Sequence, residues 1–185
     1  RTQPPSFAVA IGGAHYVVEE GFEPPYQVLG GGNLIFDSIA AAEPDLMIWA
    51  GNTAHLRHSD WTTQTGYLKR FATARSVPEL RQLLAEIPHY GTWGARDYGA
   101  PSSGYMSSFR KVAENSFEAF WPRPVQVDAL EGVATQFRYG DVDFFLLDAF
   151  RYRNLSPKDR ELPQVLGPEQ IEWLRQALLQ SEATF

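Results

Sequence analysis

Apolar residues in this chain gather in short runs that end on glycine, alternating with stretches in which they recur every three or four positions. FAVAI (Phe7–Ile11) runs into Gly12-Gly13 and DLMIW (Asp45–Trp49) into Gly51, as buried strands do. Between them NLIFDSIAAA has helical spacing, with Asn33 the expected N-cap. Strand, helix, strand in that order predicts a right-handed crossover and a parallel pair, with chemistry carried on loops at the carboxyl ends of the strands. The stretch from Gly21 to Gly32, with Pro24, Pro25 and the run Gly30-Gly31-Gly32, reads as a loop before that helix.

Further along, GYLKRFATA reads as a short amphipathic helix. SVPELRQLLAEI opens with Ser76 and Glu79 at the spacing of a capping box, tolerates Pro78 in its first turn and stops at Pro88. HYGTW (His89–Trp93) is a third strand, followed by a loop from Gly94 to Gly104. SSFRKVAENSFEAFW places Phe109, Val112, Ala113, Phe117 and Phe120 on one helical face, and Pro122 ends it. VATQFRYGDVDFFLLD is two strand-like runs about the turn dipeptide Gly140-Asp141, a hairpin whose apolar second arm is expected to be buried. EQIEWLRQALLQ, after Gly167-Pro168, carries a stripe of Ile171, Leu174, Ala177 and Leu178. No repeat, coiled coil or second domain is visible, so residues 1–185 read as one domain.

Composition narrows the function classes. With 185 residues, 44% of them hydrophobic, the chain can build one substantial core. Sixteen basic against 22 acidic residues, a formal charge of -6 and no Lys/Arg run argue against nucleic acid as a partner. The absence of cysteine excludes disulfides, thiolate metal sites and a cysteine nucleophile. No apolar run has transmembrane length, and RTQPPS lacks the pattern of a signal peptide, so any targeting segment is expected to have been removed already. Aromatic content of 14% hints that part of the surface is covered by another protein.

LRHSDWTTQTGYLKRFATARSVPELRQLL, PHYGTW, FEAFWPRP, TQFRYGDVDFFLLDAFRYR and LGPEQIEWLRQAL follow one another as they do in the amino-terminal half of the alkaline phosphatase D (PhoD-like) family, within the calcineurin-like metallophosphoesterase superfamily, which the chain resembles over nearly its whole length. The resemblance implies an α/β fold in which a sandwich of two β-sheets is flanked by helices, here in a partial version, with a two-metal site at the strand ends. A family member would continue past SEATF into a further strand and a glycine-aspartate-x-histidine motif.

Two-metal phosphoester hydrolysis needs anionic ligands that hold two cations about 3.5–4 Å apart. Measured against the motifs that the resemblance implies, Ala14 stands at a thiolate position and Asn52 where a carboxylate would bridge the metals. His55 stands in place of a tyrosine. Gly94, Ala95 and Arg96 replace two aspartates and a histidine, leaving Asp97. Gly51, Leu56, Arg57, Asp60, Trp61, Trp93, Tyr98 and Gly99 match the family at the same spacing, so the losses fall on chemistry and spare the framework. The charge of Arg96 would oppose a nearby cation by roughly 1–4 kcal/mol at 4 Å. This pattern reads as a pseudoenzyme: no catalytic residue, no metal and no cofactor are expected, and the domain serves as a structural or binding subunit. A protein partner is expected to cover sheet surface left exposed by the partial fold, in an extracytoplasmic setting, periplasmic or secreted, because the family is largely exported.

Other readings compete. His15, Asn52, His55 and Asp97 could form a remodelled metal site, for zinc, iron or calcium, in a divergent phosphodiesterase or phosphatase; hydrogen-bonded loop residues are the simpler reading. Arg96 with the Gly12-Gly13 turn could hold an anion without metal, against an ordinary ion pair of Arg96 with Asp97 or another carboxylate. His58 and His89 add little. Ser102, Ser103, Ser107 and Ser108 lack a nucleophile motif and read as loop polarity and a helix cap. Gly30-Gly31-Gly32 is followed by Asn33-Leu34, so it is no phosphate cradle. Asp148 is expected to order the loop with Arg151 and Arg153 rather than to catalyse. Trp61, Tyr67, Phe120, Trp121, Phe150 and Tyr152 are read as packing rather than a ligand cage.

Overall fold

Three of the apolar runs become neighbouring parallel strands in the computed structural model, which describes residues 6–19, 21, 30–100, 108–124, 130–154 and 164–185. These are β1 (Val9–Gly12), β2 (Leu46–Ala50) and β3 (His89–Thr92), in the order β1-β2-β3. The register pairs Val9 with Leu46, Ile11 with Ile48 and Ile48 with Tyr90. Because side chains alternate along a strand, β2 offers Met47 and Trp49 to one face and Leu46 and Ile48 to the other. All four are buried, which explains why the run is apolar without alternation.

The Met47 and Trp49 face carries the helices. These are α1 (Ile35–Ala41), α2 (Gln64–Arg75), α3 (Arg81–Glu86), the single turn α4 (Ala95–Tyr98) and α5 (Arg110–Glu118). Phe36, Tyr67, Phe71, Leu80, Leu83, Phe117 and Trp121 close over Met47 and Trp49 in one buried cluster. Each such side chain contributes on the order of 1.5–3 kcal/mol by leaving water. Glycine at 91 is required here: a Cβ would lie 2.8 Å from the Trp121 ring, which rests on β3. Thr63 caps α2 by accepting the Gly66 N–H at 3.1 Å.

The Leu46 and Ile48 face carries the hairpin of β4 (Thr135–Tyr139) and β5 (Val142–Leu146), antiparallel about Gly140-Asp141 as expected. Leu46, Ile48, Phe137 and Leu146 form a second cluster with Phe7, Val9, Tyr90, Tyr139 and Phe144 around it. The Tyr90 and Phe137 rings stack with centroids 3.6 Å apart. On the outer side of the hairpin, Phe145 meets Trp173 of α6 (Pro168–Gln180), edge to face at 6.2 Å. No described helix is long and apolar enough to cross a membrane.

Several local expectations fail for identifiable reasons. Asn33 does not cap α1: Leu34 occupies that position without a side-chain bond, and the Asn33 carboxamide meets His15 instead. Ser76 and Glu79 form no capping box, because the Ser76 hydroxyl turns back to the Thr73 carbonyl at 2.8 Å and closes α2. Ser108 does not cap α5, whose N-cap is Phe109 without a side-chain bond. The stretch after Gly94 is not all loop, since Ala95–Tyr98 forms a helical turn. The second hairpin arm is only partly buried apart from Leu146. In α6 the one buried residue is Gln170, while Ile171 and Leu178 of the apolar stripe are 54% and 55% exposed. Pro24, Pro25, Ser102, Ser103 and Ser107 lie outside the described residues.

Candidate functional site

Chemistry in a parallel sheet is placed where the strands end, so the loops after Gly12, Ala50 and Thr92 form the candidate site. They are tied to one another by backbone. Ala14 N–H donates to the Gly51 carbonyl at 3.0 Å, and Leu56 N–H to the Arg96 carbonyl at 2.7 Å. Ala14, Asn52 and His55 all adopt left-handed backbone, with φ of 59°, 55° and 54°. Such a conformation costs an ordinary L-residue about 1–2 kcal/mol, less for asparagine, so the contacts around these two adjacent loops must hold it in place. Gly51, at φ 92°, abuts the start of the third loop: a Cβ there would fall 2.7 Å from Gly94 N.

Two polar side chains in these loops, those of Asn52 and Asp97, face inward onto peptide groups. Asn52 Oδ1 accepts the Arg96 N–H at 2.9 Å, inside the first turn of α4. Asp97 is fully buried; its Oδ1 accepts the N–H groups of Ala54 at 2.7 Å and His55 at 3.4 Å, and its Oδ2 that of Gly94 at 3.0 Å. Burial pushes the Asp97 carboxyl above the usual carboxylate range, and those peptide donors pull the other way. Arg96 is exposed and makes no ion pair with Asp97.

The histidines go to separate neighbours. His15 Nε2 meets Asn33 Oδ1 at 3.3 Å, and its ring stands edge to face on Phe36 at 4.9 Å. The His55 ring packs edge to face on Tyr16 at 4.7 Å, with its buried Nδ1 lacking a hydrogen-bond partner. Both have a lowered pKa, first through burial; the charges of Arg96 and Arg70 add to the effect at His55 and that of Arg70 at His15, where the Asn33 bond opposes it. His58 stacks edge to face with Trp61 at 5.1 Å.

A charged cluster that the sequence reading missed supports these loops from below. Glu19 accepts Arg57 at 2.5 Å and the buried Arg70 at 2.7 Å. Arg70 also donates to the carbonyls of His55 at 3.3 Å and Val17 at 2.9 Å. Partners 38 and 51 positions apart leave no local pattern. His89 also has more to do than expected: Nδ1 accepts the Trp49 indole N–H at 2.9 Å while Nε2 meets the Leu83 carbonyl at 3.0 Å, which fixes a neutral ring protonated on Nε2.

Asp148 has the ordering role expected of it. Its Oδ1 accepts from Trp93 Nε1 at 2.6 Å and from the N–H groups of Phe150 and Arg151, both at 2.8 Å; Oδ2 accepts Val133 N–H at 3.1 Å. The Gln170 carboxamide then brackets the Asp148 backbone, accepting its N–H at 2.8 Å and donating to its carbonyl at 2.9 Å.

A pair of divalent cations does not fit the residues present. Ala14, Gly94 and Ala95 offer no side-chain ligand, Asn52 offers an uncharged oxygen already engaged, and both Asp97 oxygens accept peptide N–H groups. Among the described residues, no three His, Cys, Asp or Glu side chains are grouped so as to hold a metal ion. The structure therefore does not bring His15, His55 and Asp97 together as ligands for zinc, iron or calcium either.

Comparison with known proteins follows the same lines. The fold is similar to that of a solved structure of PhoD, with a TM-score of 0.66 and 18% identity, over 96% of this chain and 40% of that one. The chain thus spans about 40% of the length of that structure. No curated protein matches the sequence. Residues 27–185 match the family described as PhoD-like phosphatase. The chain belongs to the PhoD-like phosphatase family.

Proposed function

We propose that this chain is a catalytically inactive PhoD-like domain that acts as a structural or binding subunit of a larger assembly. In this reading it is one domain, equivalent to the amino-terminal part of the family's two-sheet sandwich, with its metal-ligand positions replaced. The observation that carries the proposal is the engagement of Asn52 Oδ1 with Arg96 N–H beside an Asp97 whose oxygens both accept peptide donors. Hydrolysis by two metals needs a bridging carboxylate and a metal-bound hydroxide. Here the corresponding groups hold loops together.

A covering partner is supported by apolar surface. Ile11 lies at the edge of the sheet on the hairpin side and is 69% exposed, and Ile171, Leu178 and Leu179 of α6 are all exposed. An exported, periplasmic or secreted location rests on the family resemblance alone. The second reading, a divergent phosphodiesterase or phosphatase with a remodelled metal site, draws on one observation, the unpartnered buried Nδ1 of His55. Turnover of bis(4-nitrophenyl) phosphate by the purified chain, with manganese, iron, zinc or calcium supplied in turn, separates the two. The inactive reading expects the rate of the metal ion alone. Saturable turnover abolished by His55→Ala would establish the second reading.

A further inference from the structure

Beneath the loop after β2, on the helix side of the sheet, runs a narrow cleft lined by His15, Trp49, Thr53, Arg75, Leu84 and Trp121, among others. Three polar atoms on its walls are buried and have no hydrogen-bond partner: Thr53 Oγ1, Arg75 Nε and Trp121 Nε1. Thr53 and Trp121 are each only 4% exposed. A buried indole N–H ordinarily finds an acceptor, and leaving a donor unsatisfied costs about 1–3 kcal/mol. Three in one cleft point to a missing partner.

The three groups share one chemistry. Indole and guanidinium nitrogens only donate, and a threonine hydroxyl can donate, so the missing partner is an acceptor. Arg75 adds charge. Its guanidinium lies 4.1 Å above the Trp121 ring, and among the described residues it forms no ion pair with any carboxylate. Burial lowers the pKa of Arg75, with no acid opposing the effect. Its place in the last turn of α2 lets the helix dipole favour a cation, by about 0.3–1 kcal/mol, but supplies no acceptor for Nε. A water molecule would satisfy donors and leave the charge; an anion does both.

Size limits the choice. The cleft has room for roughly one water-sized atom. We propose that it is a small-anion site, in which Arg75, the Trp121 indole N–H and the Thr53 hydroxyl hold one anionic atom, a chloride or one oxygen of a small carboxylate. The site adjoins the Asn52 and Asp97 contacts through Thr53, whose backbone also bonds Asp97, but uses other groups and does not depend on whether the domain is inactive.

Two measurements on the intact chain test this. The first is the ³⁵Cl NMR line width of a chloride solution with and without protein. The second is the thermal midpoint at constant ionic strength as sodium gluconate is replaced by chloride, formate or sulfate. Protein-dependent broadening of the chloride line, or a saturable rise in midpoint with formate, is expected, while bulky gluconate and doubly charged sulfate have no specific effect; which of chloride and formate acts identifies the source of the atom. Arg75→Gln and the near-isosteric Thr53→Val should each weaken the response at least tenfold. If Arg75→Gln does not fold, Thr53→Val decides. Equal midpoints in all four salts together with no broadening would overturn the proposal and assign the cleft to water; so would a response that Thr53→Val leaves intact.

Discussion

The side-chain oxygen of Asn52 and the backbone nitrogen of Arg96 are 2.9 Å apart, so the residue that the resemblance sets at the bridging position ties the loop after β2 to the first turn of α4. Asparagine suits this place twice, because it tolerates φ of 55° and offers the oxygen that a helix N-terminus attracts. Asn52→Ala loses both and should lower stability by about 1–3 kcal/mol, whereas Asn52→Gly loses only the bond and should cost less. Urea unfolding of the two variants checks this order; a glycine variant as unstable as the alanine variant would show that the backbone conformation carries no strain. Asn52→Asp keeps an acceptor at the turn and should gain no phosphodiester turnover.

Gly94 stands where the resemblance places an aspartate, and the Asn52 backbone fills the room that a side chain there would need. A Cβ at 94 would lie 2.6 Å from Asn52 N and press on the Asn52 carboxamide. Gly94→Ala should cost about 1–3 kcal/mol through overpacking, although its φ of -112° is open to any residue. A denaturation midpoint equal to that of the parent would mean that the loop can open, and with it room for an acidic ligand.

Asp97 is the acid that the resemblance leaves in the motif, and its contacts are to peptide N–H groups that hold the loops. Replacing it with asparagine turns one acceptor into a donor facing peptide N–H groups, which should cost about 1–3 kcal/mol per unpaired buried donor. Hydrogen exchange at Ala54 and Gly94, whose N–H groups Asp97 accepts, should speed up together. Unchanged exchange at both would remove Asp97 from this role.

How far the sequence disclosed this arrangement depended on the range of each interaction. β2 was legible because its side chains are buried on both faces, which leaves a continuous apolar run, the half-buried β1 because its short apolar run ends on Gly12-Gly13, and the hairpin because Gly140-Asp141 marks its turn. Caps were misread at Asn33 and Ser76, since a short polar side chain has several backbone or side-chain partners within reach and tertiary contact selects among them. The α6 stripe has helical period, but period says nothing of what a face meets; the buried residue there is the polar Gln170, held by Asp148. Within the candidate site, the substituted positions were visible. The Glu19 cluster and the double role of His89 were not, because each joins distant segments.

His89 should make stability depend on pH. Burial lowers its pKa from about 6.5, with the charge of Arg75 adding and the Leu83 bond opposing. The unfolded chain then binds the proton more readily than the folded one, so stability rises with pH and is lost as pH falls below about 6.5 toward the lower folded value. His15 and His55 act in the same direction. Asp97 and Asp148, raised by burial, act in the opposite direction: their contribution is fullest at acid pH and is lost as pH rises through their folded values. Comparison with His89→Gln isolates the one group. The stability gap between parent and variant should narrow as pH is lowered from about 7.5 to 5; a constant gap would contradict a neutral His89 wedged between Trp49 and Leu83.

The central claim is that the strand-end loops are closed on themselves and cannot seat two cations. Metal analysis of the chain, purified without chelator and then dialysed against zinc, iron, manganese or calcium, tests it most directly. The account predicts well under one ion per chain in every case, unchanged by Asp97→Asn. Two ions per chain, lost when Asp97 or His55 is replaced, would contradict it.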